Sequence, residues 1–173
     1  MSLRLRRPAP LTKEHQKGDF DSGDHSKDEW LRRHAGQGRP LDTAATWVIA
    51  DQAMAVVGYV ALAMTAVDAS AAPESLRRQA PRAVPALLIG RLAVDRRAQG
   101  RGVGTALVAH VLATAVELRE KAAFRAVLVD SADPADPAAV SWWKRFGFEP
   151  LTPGSTKLFL ASQDIARTLE TLS

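Results

Sequence analysis

Residues 87–118 read LLIGRLAVDRRAQGRGVGTALVAHVLATAVEL, and the rest of the chain is best read outward from them. Leu87 to Val94 is an apolar run of strand type. Asp95 turns it polar, Arg96 to Gly104 is basic and glycine-rich, and a long helical pattern follows at once. Strand, loop and helix in that order make a place for a phosphate. Glycines at 100, 102 and 104 let the backbone approach a ligand without Cβ atoms in the way, with amides turned into one concavity. The free N–H groups of a helix start favour an anion, and Arg96, Arg97 and Arg101 add charge of the right sign.

Two known phosphate loops fit poorly. A G-x-x-x-x-G-K-[ST] loop needs Lys-Ser or Lys-Thr after its last glycine, whereas Gly104 is followed by Thr105 and Ala106. A dinucleotide fingerprint opens an early βαβ unit and has an acid about 20 residues on. Gly100, Gly102 and Ala106 give only G-x-G-x-x-x-A, after a strand in mid-chain.

The chain has 173 residues, enough for one domain with a real core. With 46% hydrophobic and 24% charged residues it is ordinary for a globular protein. There is no cysteine, hence no disulfide, thiol nucleophile or thiolate metal site. Lys and Arg number 23 against 19 Asp and Glu, a net charge of +4 that suits anionic partners without separating one phosphate ligand from another. MSLRLRRPAP lacks the apolar core of a signal peptide and no apolar stretch approaches membrane-spanning length, so a cytoplasmic location without a membrane is expected. His15, His25, His34 and His110 are scattered, and no metal is expected.

Residues 1–18 predict a loose N-terminal tail or edge segment, and 19–173 the folded domain. DHSKDEWLRRHA from Asp24 predicts a short helix opened by a Ser26/Glu29 capping box. Thr46 to Ala50 and Ala55 to Met64 predict two antiparallel strands. A long loop with a short helix near Glu74 is expected from Asp68 to Pro85. Val103 to Lys121 carries one apolar stripe at 103, 107, 111, 115 and 118 and predicts a helix. As a crossover it makes Arg125 to Val129 a strand parallel to Leu87 to Val94. Asp130 to Pro137 predicts a loop, Ala138 to Arg145 a short helix ended by Gly147, and Thr156 to Ala161 a last strand. The fold class is α/β, with a mixed central sheet and flanking helices.

Gln99-Gly100-Arg101-Gly102-Val103-Gly104 resembles the [Q/R]-x-x-G-x-[G/A] loop of the GNAT N-acetyltransferases. Gly90-Arg91-Leu92-Ala93-Val94-Asp95 before it and Gly147-Phe148 after it extend the resemblance, as do Phe20-Asp21-Ser22-Gly23 and Trp30-Leu31. The branch most similar is the GNAT toxins of toxin-antitoxin pairs. The resemblance implies a single-domain GNAT fold, splayed between Leu92 to Val94 and Val127 to Val129, and acetyl-CoA as co-substrate. Main-chain groups of Leu92, Ala93 and Val94 would hold the thioester carbonyl and pantetheine. The loop of Gln99, Gly100, Arg101, Gly102, Val103, Gly104 and Thr105 would hold the pyrophosphate, with Arg97 or Arg101 near the 3′-phosphate. Aminoacyl-tRNA, a cognate antitoxin and a second copy of the chain are the implied partners.

Trp143 stands where the family has the tyrosine that protonates the leaving thiolate, and indole is no acid at useful pKa. Ser141 is the nearby hydroxyl. Arg77, Arg78, Arg91, Lys144 and Arg145 are candidates for the acceptor, beside an aromatic pair. A thiol pKa of about 8.5 makes thiolate a fair leaving group, and an α-amine at about 7.7–8.0 loses its proton far more readily than lysine at about 10.4. The expected activity is therefore acetyl transfer from acetyl-CoA to the α-amine of aminoacyl-tRNA. A small-molecule or peptide N-acetyltransferase and a non-catalytic acyl-CoA-binding protein are the alternatives.

Overall fold

A computed structural model describes residues 3–131 and 137–173. Among the described residues seven strands hydrogen-bond in the order β1-β2-β3-β4-β5-β7-β6: β1 (Ala9–Pro10), β2 (Ala45–Ala50), β3 (Val56–Asp68), β4 (Ala83–Val94), β5 (Ala126–Asp130), β6 (Glu149–Pro150) and β7 (Lys157–Ala161). The helices are α1 (His25–Arg33), α2 (Ala35–Gly38), α3 (Glu74–Arg77), α4 (Val103–Arg119), α5 (Pro137–Lys144) and α6 (Ile165–Thr171). The mixed α/β class follows, and the chain divides into two compact units.

The first unit runs through Ala63 and takes up the chain again from Gly90 to Val111. β1 lies antiparallel along β2 with Ala9 opposite Val48, so the N-terminal segment forms a sheet edge. β2 pairs antiparallel with β3 from Ala45 opposite Leu62 to Ile49 opposite Gly58. Phe20, Leu31, Ala35, Val48, Val56, Tyr59 and Ala93 form one buried cluster. β3 is buried without a break from Val56 to Leu62 and β2 from Val48 to Ala50, as strands covered on both faces are, and the cluster is filled from α1 and α2.

The helix α1 is not opened by the expected Ser26/Glu29 box. Its N-cap is Asp24, whose carboxylate accepts from the Lys27 N–H. The reason lies two residues before the cap: Ser22 donates through both N–H (3.1 Å) and Oγ (2.6 Å) to the buried Asp28 carboxylate, which sets the helix start early.

The second unit holds Met64 to Ile89 and the chain from Leu112 onward. β4 pairs parallel with β5 from Ala86 opposite Ala126 to Ile89 opposite Val129, and β5 and β6 each pair antiparallel with β7. Val67, Leu76, Val84, Ala86, Leu128, Leu151 and Phe159 belong to its buried cluster. β3 continues to Asp68 and β4 begins at Ala83, so both strands outrun expectation and the loop between them shrinks to residues 69–82. Thr65 and Val67 sustain the alternation that ends β3, and Asp68 caps the next turn by accepting from Ser70. Val127 to Val129 are fully paired with Leu87 to Ile89, so loss of parallel pairing begins beyond Ile89 and not alongside Val127. α4 ends at Arg119, since the Lys121 and Ala122 amides both close on Leu118. Of the expected loop from Asp130 to Pro137, residues 132–136 lie outside the described residues.

Candidate active site

β4 leaves the sheet at Val94 and enters a tight turn whose centre is a carboxylate. Asp95 is 2% exposed. Its Oδ1 accepts the Arg97 N–H and Nε–H, both at 2.9 Å, and its Oδ2 accepts the Asp21 N–H at 3.0 Å. Burial pushes this carboxyl upward, but hydrogen bonds from the Arg97 side chain and from the backbone of Asp21 and Arg97 outweigh it and hold Asp95 below the usual carboxylate range. The same contact, working against burial, raises Arg97.

The side chain of Gln99 folds back instead of reaching outward. Its Nε2 donates to the Val94 carbonyl at 2.9 Å and the Ser22 carbonyl at 3.2 Å. The Arg96 N–H donates to Asp21 O at 2.9 Å. The turn is thereby stitched both to its own strand and to the segment before α1.

Beyond Gln99, Gly100 and Gly102 take φ of +75° and +80°, a region side chains rarely adopt. A Cβ at either would meet no atom within 4 Å, so what lies over these glycines is open space. α4 begins at Val103, and the Ala106 N–H bonds back to Gly102 O at 2.9 Å. The amides of Val103, Gly104 and Thr105 precede that first helical bond and point out of the helix end. Val103 itself is buried against β3, where only the missing side chain of Gly58 makes room: a Cβ there would lie 2.6 Å from Val103 Cγ1.

This concavity fits a pyrophosphate. Gly100 and Gly102 leave open space at the helix head, where the first amides of α4 have no helical partner, and α4 is long enough to carry an appreciable dipole. Arg101 is exposed beside it, and with Arg97, Leu3, Arg4, Asp51, Gln52 and Ala53 it lines an open groove of about 520 Å³. Upstream, Ala93 is buried in the core cluster while Leu92 and Val94 alternate to the other face of β4. Arg91, the charge inside this strand, rests over the Trp30 ring at 5.3 Å, so an aromatic face and not a carboxylate receives it.

Tyr59, the sole tyrosine, is fully buried, stacked on Trp30 with ring centroids 5.8 Å apart. Its Oη donates to Lys27 O at 2.7 Å, and burial drives its pKa far upward. It is a core residue with its proton already placed.

In the second unit, Trp143 is 6% exposed. Its ring meets Trp142 and Phe148 edge-on at 4.9 and 5.2 Å. Ser141, one turn away from Arg145 on α5, is exposed. Lys144, Arg145, Arg77 and Arg78 are exposed too; Arg77 pairs with Glu74 at 2.9 Å, and Arg145 lies over Phe146. The expected cofactor residues from Leu92 to Thr105, with Arg91, therefore belong to the first unit, and the remaining site candidates to the second. Asp95, Asp21, Ser22 and Gly58 were missed as site-building residues. An acid directly after a strand and a lone glycine inside one were the signals available. Among the described residues no group of side chains could hold a metal, and no helix is long and apolar enough to cross a membrane.

The family model of the acetyltransferase (GNAT) domain matches residues 42–150. A tRNA-acetylating toxin of Mycobacterium tuberculosis (strain ATCC 25618 / H37Rv) is 34% identical over 145 residues, covering 84% of this chain and 85% of that one. AtaT complexed with acetyl-methionyl-tRNAfMet superposes with a TM-score of 0.84 at 24% identity, covering 94% of this chain and 98% of that one. A tyrosine-to-phenylalanine mutant of KacT gives 0.86 at 21% identity, with 95% and 98% covered. These two solved structures speak for the fold.

Proposed function

The chain belongs to the GNAT acetyltransferase family, and from that premise we propose that it moves the acetyl group of acetyl-CoA onto the α-amine of an aminoacyl-tRNA. The observation that carries the cofactor half is the open, amide-lined turn at Gly100 and Gly102 at the head of α4. The acceptor half rests on the 34% identical relative named for tRNA acetylation.

Acetyl-CoA supplies an activated acyl carbon and a thiolate leaving group. The residues of this chain bind and orient. Amides from Gly100 to Thr105 hold the pyrophosphate, Arg101 adds positive charge, and the main chain of Leu92, Ala93 and Val94 lines the approach to the thioester. Arg91, Arg77, Arg78, Lys144 and Arg145 are the cations offered to an RNA backbone, whose affinity would then fall with salt. Among the described residues no evident general base serves the acceptor, which suits an α-amine titrating at about 7.7–8.0.

Trp143 marks the chemical peculiarity. A buried indole among aromatic rings provides no acid, and Tyr59 holds its proton on a carbonyl, so the leaving thiolate departs as the anion or takes its proton from solvent or from a hydroxyl such as Ser141. Omitting a general acid typically costs about 10²- to 10⁴-fold in rate. That same feature favours a second reading, an acyl-CoA-binding protein without transfer. An antitoxin, a second copy of the chain and a cytoplasmic setting complete the proposal.

Labelled acetyl-CoA offered with a pool of charged tRNA, uncharged tRNA and free amino acids tests it. Label confined to charged tRNA is expected, and sequencing the labelled pool names the acceptor. Tight acetyl-CoA binding with no label on any acceptor would overturn the transfer and leave the binding reading.

A further inference from the structure

The conformation of the phosphate turn rests on one carboxylate. Asp95 is the only acid between Ile89 and Val116 in the sequence, it is nearly inaccessible, and its carboxylate oxygens accept from Arg97 and Asp21. Arg97 meets it with Nε at 2.9 Å and Nη2 at 3.3 Å, a two-pronged grip. Such a grip fixes the guanidinium plane and neutralises its charge locally. Arg97 is accordingly a poor candidate for a phosphate ligand, although it lines the groove beside Arg101.

The second half of the device crosses to the segment before α1. Asp21 donates its N–H to Asp95 and accepts the Arg96 N–H at its carbonyl, while Ser22 O receives Gln99. Ser22 in turn is tied to Asp28 in α1. Removing the Asp95 charge frees Arg97 and the Asp21 N–H, and leaves two exposed side-chain ties to that segment, Gln99 to the Ser22 carbonyl and Arg96 to the Asp21 carboxylate at 3.5 Å. The positive-φ glycines just beyond have no packing of their own to hold them.

We infer that Asp95 and Arg97 act as one positioning pair that shapes the acetyl-CoA turn and ties it to the Phe20–Gly23 segment, and that Arg97 is not a ligand of the cofactor's phosphates. The inference rests on the acetyl-CoA reading given above. It makes Asp95→Asn and Arg97→Gln equivalent lesions. Asparagine keeps one acceptor and loses the charge; glutamine at 97, where the side chain is about half exposed, leaves the fold little to lose.

Calorimetric titration of the purified full chain with acetyl-CoA and with acetyl-dephospho-CoA, which lacks the 3′-phosphate, tests this. Each single variant is expected to weaken both ligands about tenfold, the loss set by a charge-assisted hydrogen-bonded pair. The double variant is expected to be no worse than the weaker single, because both remove one interaction. In the transfer assay KM for acetyl-CoA rises by a similar factor while kcat stays within about twofold. Wild-type affinity in folded Asp95→Asn would overturn the inference, as would a loss in Arg97→Gln seen only with the 3′-phosphorylated ligand. If Asp95→Asn fails to fold, Arg97→Gln with the two ligands decides alone. A wild-type chain that binds neither ligand would defeat the acetyl-CoA reading itself, and this inference with it, an outcome distinct from the other two.

Discussion

Replacing Gly58 by alanine puts a methyl group where α4 crosses β3. The new Cβ would stand 2.6 Å from Val103 Cγ1 and 3.2 Å from Leu107 Cδ1. Carbon pairs settle at about 3.5–4.0 Å, so roughly 1 Å must open on the Val103 side. Neither neighbour gives way easily. Val103 and Leu107 are 2% and 0% exposed, and a β-branched residue in a helix holds one χ1 well. The start of α4 has to move instead. Overpacking of this kind costs about 1–3 kcal/mol, from which about 0.5–1 kcal/mol is regained because alanine is less flexible than glycine in the unfolded chain. We expect Gly58→Ala to lose about 1–2 kcal/mol in urea unfolding and to bind acetyl-CoA several-fold more weakly, since the amides of Val103 to Thr105 shift with the helix. Val103→Ala alone removes two methyl groups, worth about 1.5 kcal/mol. Placed together, the substitutions relieve the clash, and the double variant should be at least about 1 kcal/mol more stable than the sum of the singles predicts. Strict additivity, or Gly58→Ala with unchanged stability and affinity, would refute the reasoning.

Asp24→Ala should destabilise the fold by about 1 kcal/mol through loss of the α1 cap, whereas Ser26→Ala should stay within about 0.5 kcal/mol, both read by thermal unfolding. Tyr59→Phe leaves the Lys27 carbonyl without its 2.7 Å donor and should cost about 1–2 kcal/mol, with acetyl-CoA affinity unchanged. The Asp95 carboxyl titrates lower folded than unfolded, so its stabilising contribution is complete above about pH 4 and disappears as pH falls through the folded value. The stability gap between wild type and Asp95→Asn should therefore be flat from neutrality down to about pH 5 and close in more acid solution; a gap that widens there contradicts the sign. Trp143→Tyr should raise single-turnover acetyl transfer by up to about 10²-fold, at a stability cost of about 1–3 kcal/mol from the emptied space beside Phe148, and an unchanged rate would remove position 143 from the chemistry.

The stretch from Leu87 to Leu118 was legible as strand, glycine turn and helix because each choice in it is local. Apolar runs, positive-φ glycines and a 3.6-residue stripe act within a turn or two of themselves. The order of the later elements was legible for the same reason. Strand ends were less so: β3 and β4 reach Asp68 and Ala83 because each finds a neighbour in the sheet, and the alternation at Thr65 and Val67 is too short to announce it alone. At α1, Asp24 and Ser26 are equally good caps in isolation, and the bond from Ser22 to Asp28 chooses between them.

By itself, then, the sequence determined the fold class and the glycine turn at the head of α4. Only tertiary structure decided what holds that turn. Asp95 meets Asp21 across 74 positions of sequence, Gln99 meets Ser22 across 77, and Gly58 makes room for a helix that begins at Val103. Short-range propensity carries no information about partners that far away. A buried carboxylate takes whichever donors the packed chain brings within about 3 Å, and an absent side chain matters only once another element is laid against it.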